Sequence, residues 1–546
     1  MKKSTFWLLL LITLITLLGG FLRFYKIAQN PPSLNGDEIA FGYSAYSILK
    51  TGNDEYGKHL PLVFKSLGDY KNPLPVYLMV PAIKLFGLTE FAVRFPNALF
   101  GTLSIPVFFF FILDIFKKKK IAFIGSFLLA ISAWHIFYSR FAYENVIASL
   151  FVLLGIWGFI KLLKGSIYWA IPSAFFFTLT MYTAFAPRLF VPIFIFGAIV
   201  INFRQIKSNW PKVLLFAGSC VILGLPLLYV TLFQGAGTRF QSVFIGNDIE
   251  FSRNVILKYW NSISDLPLLF FFWVNRYISY LDPRFIFFNG LEATIPSPIG
   301  LGMLYVFEIP LFIAGIVALI KNPIPNKPIL MVWALAGILP DSLTTNQQHT
   351  GRLIHLFPIL IIIVTFGIIE LYNLVRRMGK LWLRVSIVSI FAIFIVLNLT
   401  HAYLVISTDF PIAKGESFDE GWKEAIKYVG LHQNEYSEIV MDPVRGIDQP
   451  NIVSNPFLYV LFYLKYDPFT YQTEQKITSI ASGGSYYKFN KYVFRNIYWP
   501  NDKKVSGTLY IGSPWSLPTK DLKEGELLKT IYLTNGSPAF YIVSPK

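Results

Sequence analysis

Charge and cysteine are both scarce in this chain. Only 14% of its 546 residues are Asp, Glu, Lys or Arg, where soluble domains carry about 25%, so an ordinary water-soluble protein is excluded. The single cysteine, Cys220, lies inside an apolar run, which leaves no disulfide framework and no cysteine metal site. Internal repeats and low-complexity segments are absent, and with them the sequence symmetry of an inverted-repeat transporter. The first apolar run ends in Gly19-Gly20-Phe21-Leu22-Arg23 without an A-x-A-like cleavage site, so it reads as a retained anchor rather than a signal peptide.

What the chain has instead is hydrocarbon-compatible length. Apolar residues make up 54% of it, in runs near 5–22, 73–88, 96–116, 121–138, 146–163, 167–184, 187–203, 212–233, 300–320, 328–345, 353–374 and 384–405. Most of these are long enough to cross roughly 30 Å of hydrocarbon. Run 73–88 sets the parity of the rest. If it does not span, Lys117–Lys120, Lys161, Lys164, Arg204, Lys207, Lys321, Lys327, Arg376 and Arg377 all share the side of Lys2 and Lys3, as the positive-inside rule requires. We therefore read it as an interfacial helix, which leaves about eleven transmembrane helices, a cytoplasmic N-terminus and an extracytoplasmic C-terminus. The formal charge of +17 then belongs to loops facing anionic lipid and implies no nucleic acid.

This topology gives a transmembrane domain over 1–406, with outer loops at about 23–95 and 234–299, and a tail domain over 407–546. Hydropathy falls in the tail, which mixes helical stretches (Glu416–Val429, Asn455–Tyr466) with β-rich runs at Glu438–Met441, Tyr492–Phe494, Thr508–Ile511, Leu528–Leu533 and Ala539–Val543. Asn535-Gly536 reads as a hairpin turn. A small α/β domain is expected.

Chemistry-bearing residues gather on the outer side. Asn35-Gly36-Asp37-Glu38 opens a helix running to about Lys50, stopped by Gly52. Asn35 and Glu38 suit a capping box and Asp37 suits the positive helix end, yet two carboxylates so close to hydrocarbon also mark a functional site. Later in the same loop come Asp69-Tyr70-Lys71-Asn72-Pro73, with Lys71 placed for a lipid phosphate or for headgroup snorkelling, and Thr89-Glu90-Phe91-Ala92-Val93-Arg94-Phe95-Pro96. Ser139-Arg140-Phe141-Ala142-Tyr143-Glu144 forms a tight outer turn, and Gln348-His349-Thr350-Gly351-Arg352 precedes a late span. Arg188 is a further outer-side cation.

In their order and membrane side these motifs resemble the lipid-linked-sugar glycosyltransferases of the GT-C class, most of all the branch holding protein O-mannosyltransferases and bacterial aminoarabinose transferases (glycosyltransferase family 39-like). The resemblance covers roughly residues 1–400. One element departs: the family's Lys-Pro-Pro is Lys71-Asn72-Pro73 here. The resemblance implies a GT-C-like fold and transfer of a sugar from a polyprenyl-phosphate donor to an acceptor hydroxyl, with inversion, at the outer face of a bacterial cytoplasmic membrane. It gives the general-base role to Asp37, with Glu38 orienting it or binding the acceptor. Phosphate freed from the anomeric carbon needs a fixed cation, for which Lys71, Arg140 and Arg352 are candidates. Asp69, Tyr70, Glu144, Arg188 and His349 complete the candidate substrate site. No cofactor is required; a divalent metal on Asp37, Glu38, Asp69 or His349 is compatible with the residue types. Expected partners are the polyprenyl-linked sugar, membrane lipid and a glycan, lipid or protein acceptor. A polyprenyl-lipid flippase would need ionisable groups along its spans, and a non-catalytic scaffold would tolerate loss of Asp37.

Overall fold

The computed structural model of the protein describes residues 3–66, 69–234, 243–247, 266–291, 300–345, 348–481 and 484–545. Much of the second outer loop, including Arg239, Arg253 and Glu292, lies outside the described residues. Two compact units emerge: residues 1–25, 69–75 and 96–406 form the first; 26–68, 76–95 and 407–546 form the second.

The first unit is helical. Among the described residues, six helices are long and apolar enough to cross a membrane: Thr5–Phe24, Glu90–Phe116, Asn145–Leu163, Trp210–Phe233, Ile354–Arg377 and Leu381–Lys414. A seventh span is a pair, Lys119–Ile131 and Ala133–Ser139, bent by 54°. The count of eleven is not reproduced. The other four expected spans are helices of 13 to 16 residues, Ala170–Thr183, Ala186–Ile201, Ile309–Lys321 and Lys327–Ser342. At 1.5 Å per residue they reach only about 20–24 Å, short of the hydrocarbon thickness.

The bend at Ser132 frees carbonyls that apolar surroundings cannot solvate. Arg23, fully buried, donates to the carbonyl of Leu129 at 3.1 Å and of Ala130 at 3.2 Å, and the Tyr305 hydroxyl takes that of Ile131 at 2.5 Å. Arg140 returns the service at the end of the first helix, donating to the carbonyls of Leu22 at 3.0 Å and Tyr25 at 2.9 Å. Elsewhere two helices meet backbone to backbone. A Cβ on Gly315 would collide with the carbonyl of Ile363, and one on Gly367 with that of Leu311, the close approach that small residues permit between helices in lipid.

The second unit is built on a seven-stranded sheet in the order Leu527–Tyr532, Pro538–Val543, Thr508–Gly512, Glu438–Met441, Tyr492–Phe494, Gly484–Phe489, Lys476–Ala481. Glu438–Met441 runs parallel to both its neighbours, and the outer pairs are antiparallel. Gly536 (φ 84°) turns the hairpin. The strands Lys476–Ala481 and Gly484–Phe489 are additions to the expected set; the Ser-Gly-Gly between them resembles a loop in sequence.

The first-loop helix, Gly36–Thr51, belongs to this unit and packs on Pro456–Tyr463 and Pro468–Thr473. Gly42 makes room: a Cβ there would sit 2.7 Å from Val93 and 2.8 Å from the Phe462 ring. Pro73–Phe86, the expected interfacial segment, is a short apolar helix.

After Gly52 the chain buries a carboxyl. Glu55 is 2% exposed and accepts the Ser44 hydroxyl at 3.3 Å. Burial, reinforced by the neighbouring Asp54 carboxylate, pushes its pKa up to about 8. A folded-state value above the ordinary 4.5 means that Glu55 stabilises the fold while protonated; that contribution is complete below about pH 4.5 and lost as the pH rises through about 8. In detergent, the thermal midpoint of the full chain should therefore fall between pH 6 and pH 9, and Glu55→Gln should remove much of that fall. Parallel pH profiles in wild type and variant would contradict the assignment.

Candidate active site

The Asn35–Glu38 turn is a capping box. The Asn35 side chain accepts the Glu38 amide at 2.9 Å, and Glu38 Oε2 accepts the Asn35 amide at 3.2 Å. Sequence reasoning missed the partner that completes it. Arg94, fully buried, donates to Glu38 Oε1 through Nε at 2.9 Å and to Oε2 through Nη2 at 3.0 Å. Its remaining donors reach the carbonyls of Ile27 and Pro31, both at 2.9 Å, and of Ser33 at 2.5 Å. Glu38, 1% exposed, is thus an internal anchor of the loop, with both oxygens in use. Asp37, one residue before it, is exposed on the same first turn.

Within the helical unit a second constellation forms. Lys71 is 6% exposed and the Asn72 beside it is fully buried. Asn72 Oδ1 accepts Arg188 Nη2 at 2.6 Å, while its amide donates to Glu144 Oε1 at 3.4 Å. Arg188 is further held by the Met181 carbonyl at 3.2 Å and lies 4.5 Å over the Phe185 ring. Next to Glu144, Tyr143 stacks on His349 with ring centroids 5.8 Å apart and planes 17° from parallel. The His349 amide donates to Asp341 Oδ2 at 2.8 Å, and Asp341 Oδ1 receives Arg352 Nη1 at 3.0 Å.

Asn72 thus joins Glu144 to Arg188, and Asp341 joins His349 to Arg352; Tyr143, the residue before Glu144, links the two sets through its ring contact with His349, and Lys71 adjoins Asn72 in sequence. The signals for the two acidic and amide links were faint: Asp341 is an acid in the last turn of an apolar helix, and Asn72 was visible only as a departure from a motif. Arg140 stands apart from the expectation of a phosphate ligand. Its guanidinium faces the carbonyls that end the first helix, because those groups, shut off from water, need donors. Tyr70 is half-buried on the short strand Asp69–Lys71; the side chain of Asp69 lies outside the described residues.

Residues 13–238 match the family model of dolichyl-phosphate-mannose-protein mannosyltransferase. The crystal structure of ArnT from Cupriavidus metallidurans bound to undecaprenyl phosphate is similar over 100% of this chain and 99% of its own, at 12% identity and a TM-score of 0.55. Its apo state is similar over the same shares at 13% identity and a TM-score of 0.54. The chain shares the fold of these two structures. An archaeal oligosaccharyltransferase, AglB from Archaeoglobus fulgidus in complex with an inhibitory peptide and a dolichol-phosphate, aligns over 81% of this chain and 63% of its own, at 13% identity and a TM-score of 0.46. No curated protein matches by sequence.

Among the described residues, no group of three or more His, Cys, Asp or Glu side chains is arranged to hold a metal ion. Arg94 offers the sharpest test of the loop's architecture. Arg94→Met strands a carboxylate that is 1% exposed; breaking such a buried pair costs roughly 3–5 kcal/mol, so the thermal midpoint should drop by several degrees. Adding Glu38→Gln should recover part of the loss by removing the uncompensated charge. Equal midpoints for single and double variants would show that charge burial is not the cause.

Proposed function

We propose that this protein transfers a sugar from a polyprenyl-phosphate carrier to an acceptor hydroxyl at the outer face of the cytoplasmic membrane, with inversion at the anomeric carbon. A prenyl chain cannot leave the bilayer, so the donor must be worked on where apolar helices and polar groups meet. The observation that carries the reading is the group of buried and half-buried cations in the helical unit. Arg188, held by Asn72, and Arg352, held by Asp341, together with the buried Lys71, supply fixed positive charge for a phosphate whose negative charge grows as the glycosidic C–O bond breaks. In the same unit an apolar groove of about 600 Å³, with Leu14, Leu18, Phe127, Ile131, Phe307 and Phe391 among its walls, suits a branched hydrocarbon chain.

Asp37 takes the acceptor proton as the acceptor oxygen attacks the anomeric carbon. The bond to phosphate breaks, polyprenyl phosphate departs, and the proton leaves Asp37 for water. Exposure at the first turn of the helix keeps this carboxylate reachable, whereas Glu38, bonded to Arg94, acts by fixing the turn. Arg352 and Arg188 are pre-oriented by carboxylate and amide partners, so they need little reorganisation when the phosphate arrives. His349 and Glu144 hold that network together.

The test is release of labelled sugar from a panel of hexosyl and pentosyl polyprenyl phosphates by the full chain in nanodiscs. A general base is worth roughly 10²–10⁴-fold, so Asp37→Asn should lower turnover by at least about 10²-fold on whichever donor is used. Asn72→Ala, which frees Arg188, should lower it about tenfold, in keeping with loss of one charge-assisted hydrogen bond. Turnover unchanged in Asp37→Asn would remove Asp37 as the base, and no release from any donor would remove the transferase reading itself.

A further inference from the structure

Resting on that reading, we infer that the C-terminal tail positions the carboxylate-bearing turn and that Tyr459 is the residue through which it does so. Tyr459 lies on Pro456–Tyr463 and is fully buried. Its hydroxyl donates to the carbonyl of Leu34 at 2.9 Å across 425 residues of sequence. Leu34 is itself fully buried and immediately precedes the cap Asn35. A buried carbonyl needs a donor; the nearby Ser33 hydroxyl reaches it only at 3.5 Å, so the phenol is its principal partner. The Tyr459 ring is held in turn, stacked on Trp422 with centroids 6.1 Å apart, and Trp422 donates to Ser454 at 3.1 Å.

The same tail segment grips the rest of the loop. Tyr466 accepts the Tyr43 hydroxyl on its carbonyl at 3.1 Å, midway along Gly36–Thr51. At the far end of that helix the Gln472 amide donates to Ser47 Oγ and Thr51 Oγ1, both at 3.0 Å, and to the Asp54 carbonyl at 2.8 Å. Tyr463 and Lys423 both bind Glu90, at 3.2 Å and 2.5 Å, one helical turn before the Arg94 that clamps Glu38. The tail thus fixes the helix at three levels and fixes its clamp as well, while Asp37 stays exposed. A domain that merely covered the loop would not direct hydrogen bonds at its cap, its middle and its last turn. Displacement of a reacting group by about 1 Å can cost 10²-fold in rate, so this grip acts on turnover rather than on donor affinity.

The experiment compares full-length wild type, Tyr459→Phe and Tyr532→Phe in nanodiscs, by steady-state kinetics and by hydrogen exchange. Tyr532→Phe makes the same chemical change at a residue 62% exposed on an outer strand and should match wild type. Tyr459→Phe should lower kcat about tenfold, leave the donor KM within about twofold, and speed exchange of the Glu38 and Ile39 amides, with the strand Thr508–Gly512 unaffected. Unchanged exchange at Glu38 and Ile39 would overturn the inference, and so would faster exchange with unchanged kcat. Should the wild type move no sugar, the reading of function falls alone, because the exchange result still decides whether Tyr459 holds the turn. If Tyr459→Phe does not fold, Gln472→Ala replaces it: kcat should fall about threefold at constant KM, and an unaltered kcat would overturn the inference.

Discussion

Backbone carbonyls that cannot reach water are the constraint on which this structure depends. A peptide oxygen sealed among apolar groups must find a donor or cost free energy comparable to a lost hydrogen bond. In this chain the donors come from arginine. Arg23 covers the bend at Ser132, Arg140 covers the end of the first helix, and Arg94 covers Ile27, Pro31 and Ser33. A guanidinium presents five donors in a rigid plane, so one side chain can serve several diverging carbonyls and a carboxylate at once. Lysine, with donors on a single atom, could not.

That constraint sorts the charged residues into two kinds. Some are consumed by the scaffold, as Arg140 and Glu38 are. Others are held chiefly by side chains, as Arg188 is by Asn72 and Arg352 by Asp341. Residue type alone does not separate the two kinds.

The tail is part of the same logic. Its helices do not form a freestanding domain core alone; they carry hydroxyl and amide donors into the first loop, to Leu34, Ser47, Thr51 and Asp54. The compact unit they make with residues 26–68 and 76–95 joins segments more than 300 residues apart. The loop that bears Asp37 is accordingly a folded element, despite following the first apolar helix as an irregular stretch would.

Features set by near neighbours were legible in the sequence. The capping box at Asn35 and Glu38, the Gly52 stop, the hairpin at Asn535-Gly536 and the strand Glu438–Met441 depend on spacings of a few residues, where propensity and hydrogen-bond reach decide. Hydropathy located each of the six long apolar helices, because burial in hydrocarbon acts on every residue of a run, but it missed the helix Leu266–Ser279 inside the expected outer loop. Apolarity does not report where a helix is short or bent, so six helices and one bent pair among the described residues have spanning length. The partners Arg94 to Glu38, Asn72 to Arg188, Asp341 to Arg352 and Tyr459 to Leu34 were decided by tertiary structure alone. Each pairs groups whose separation in sequence carries no periodicity, and the cost of leaving either group buried without the other becomes real only once the chain has folded.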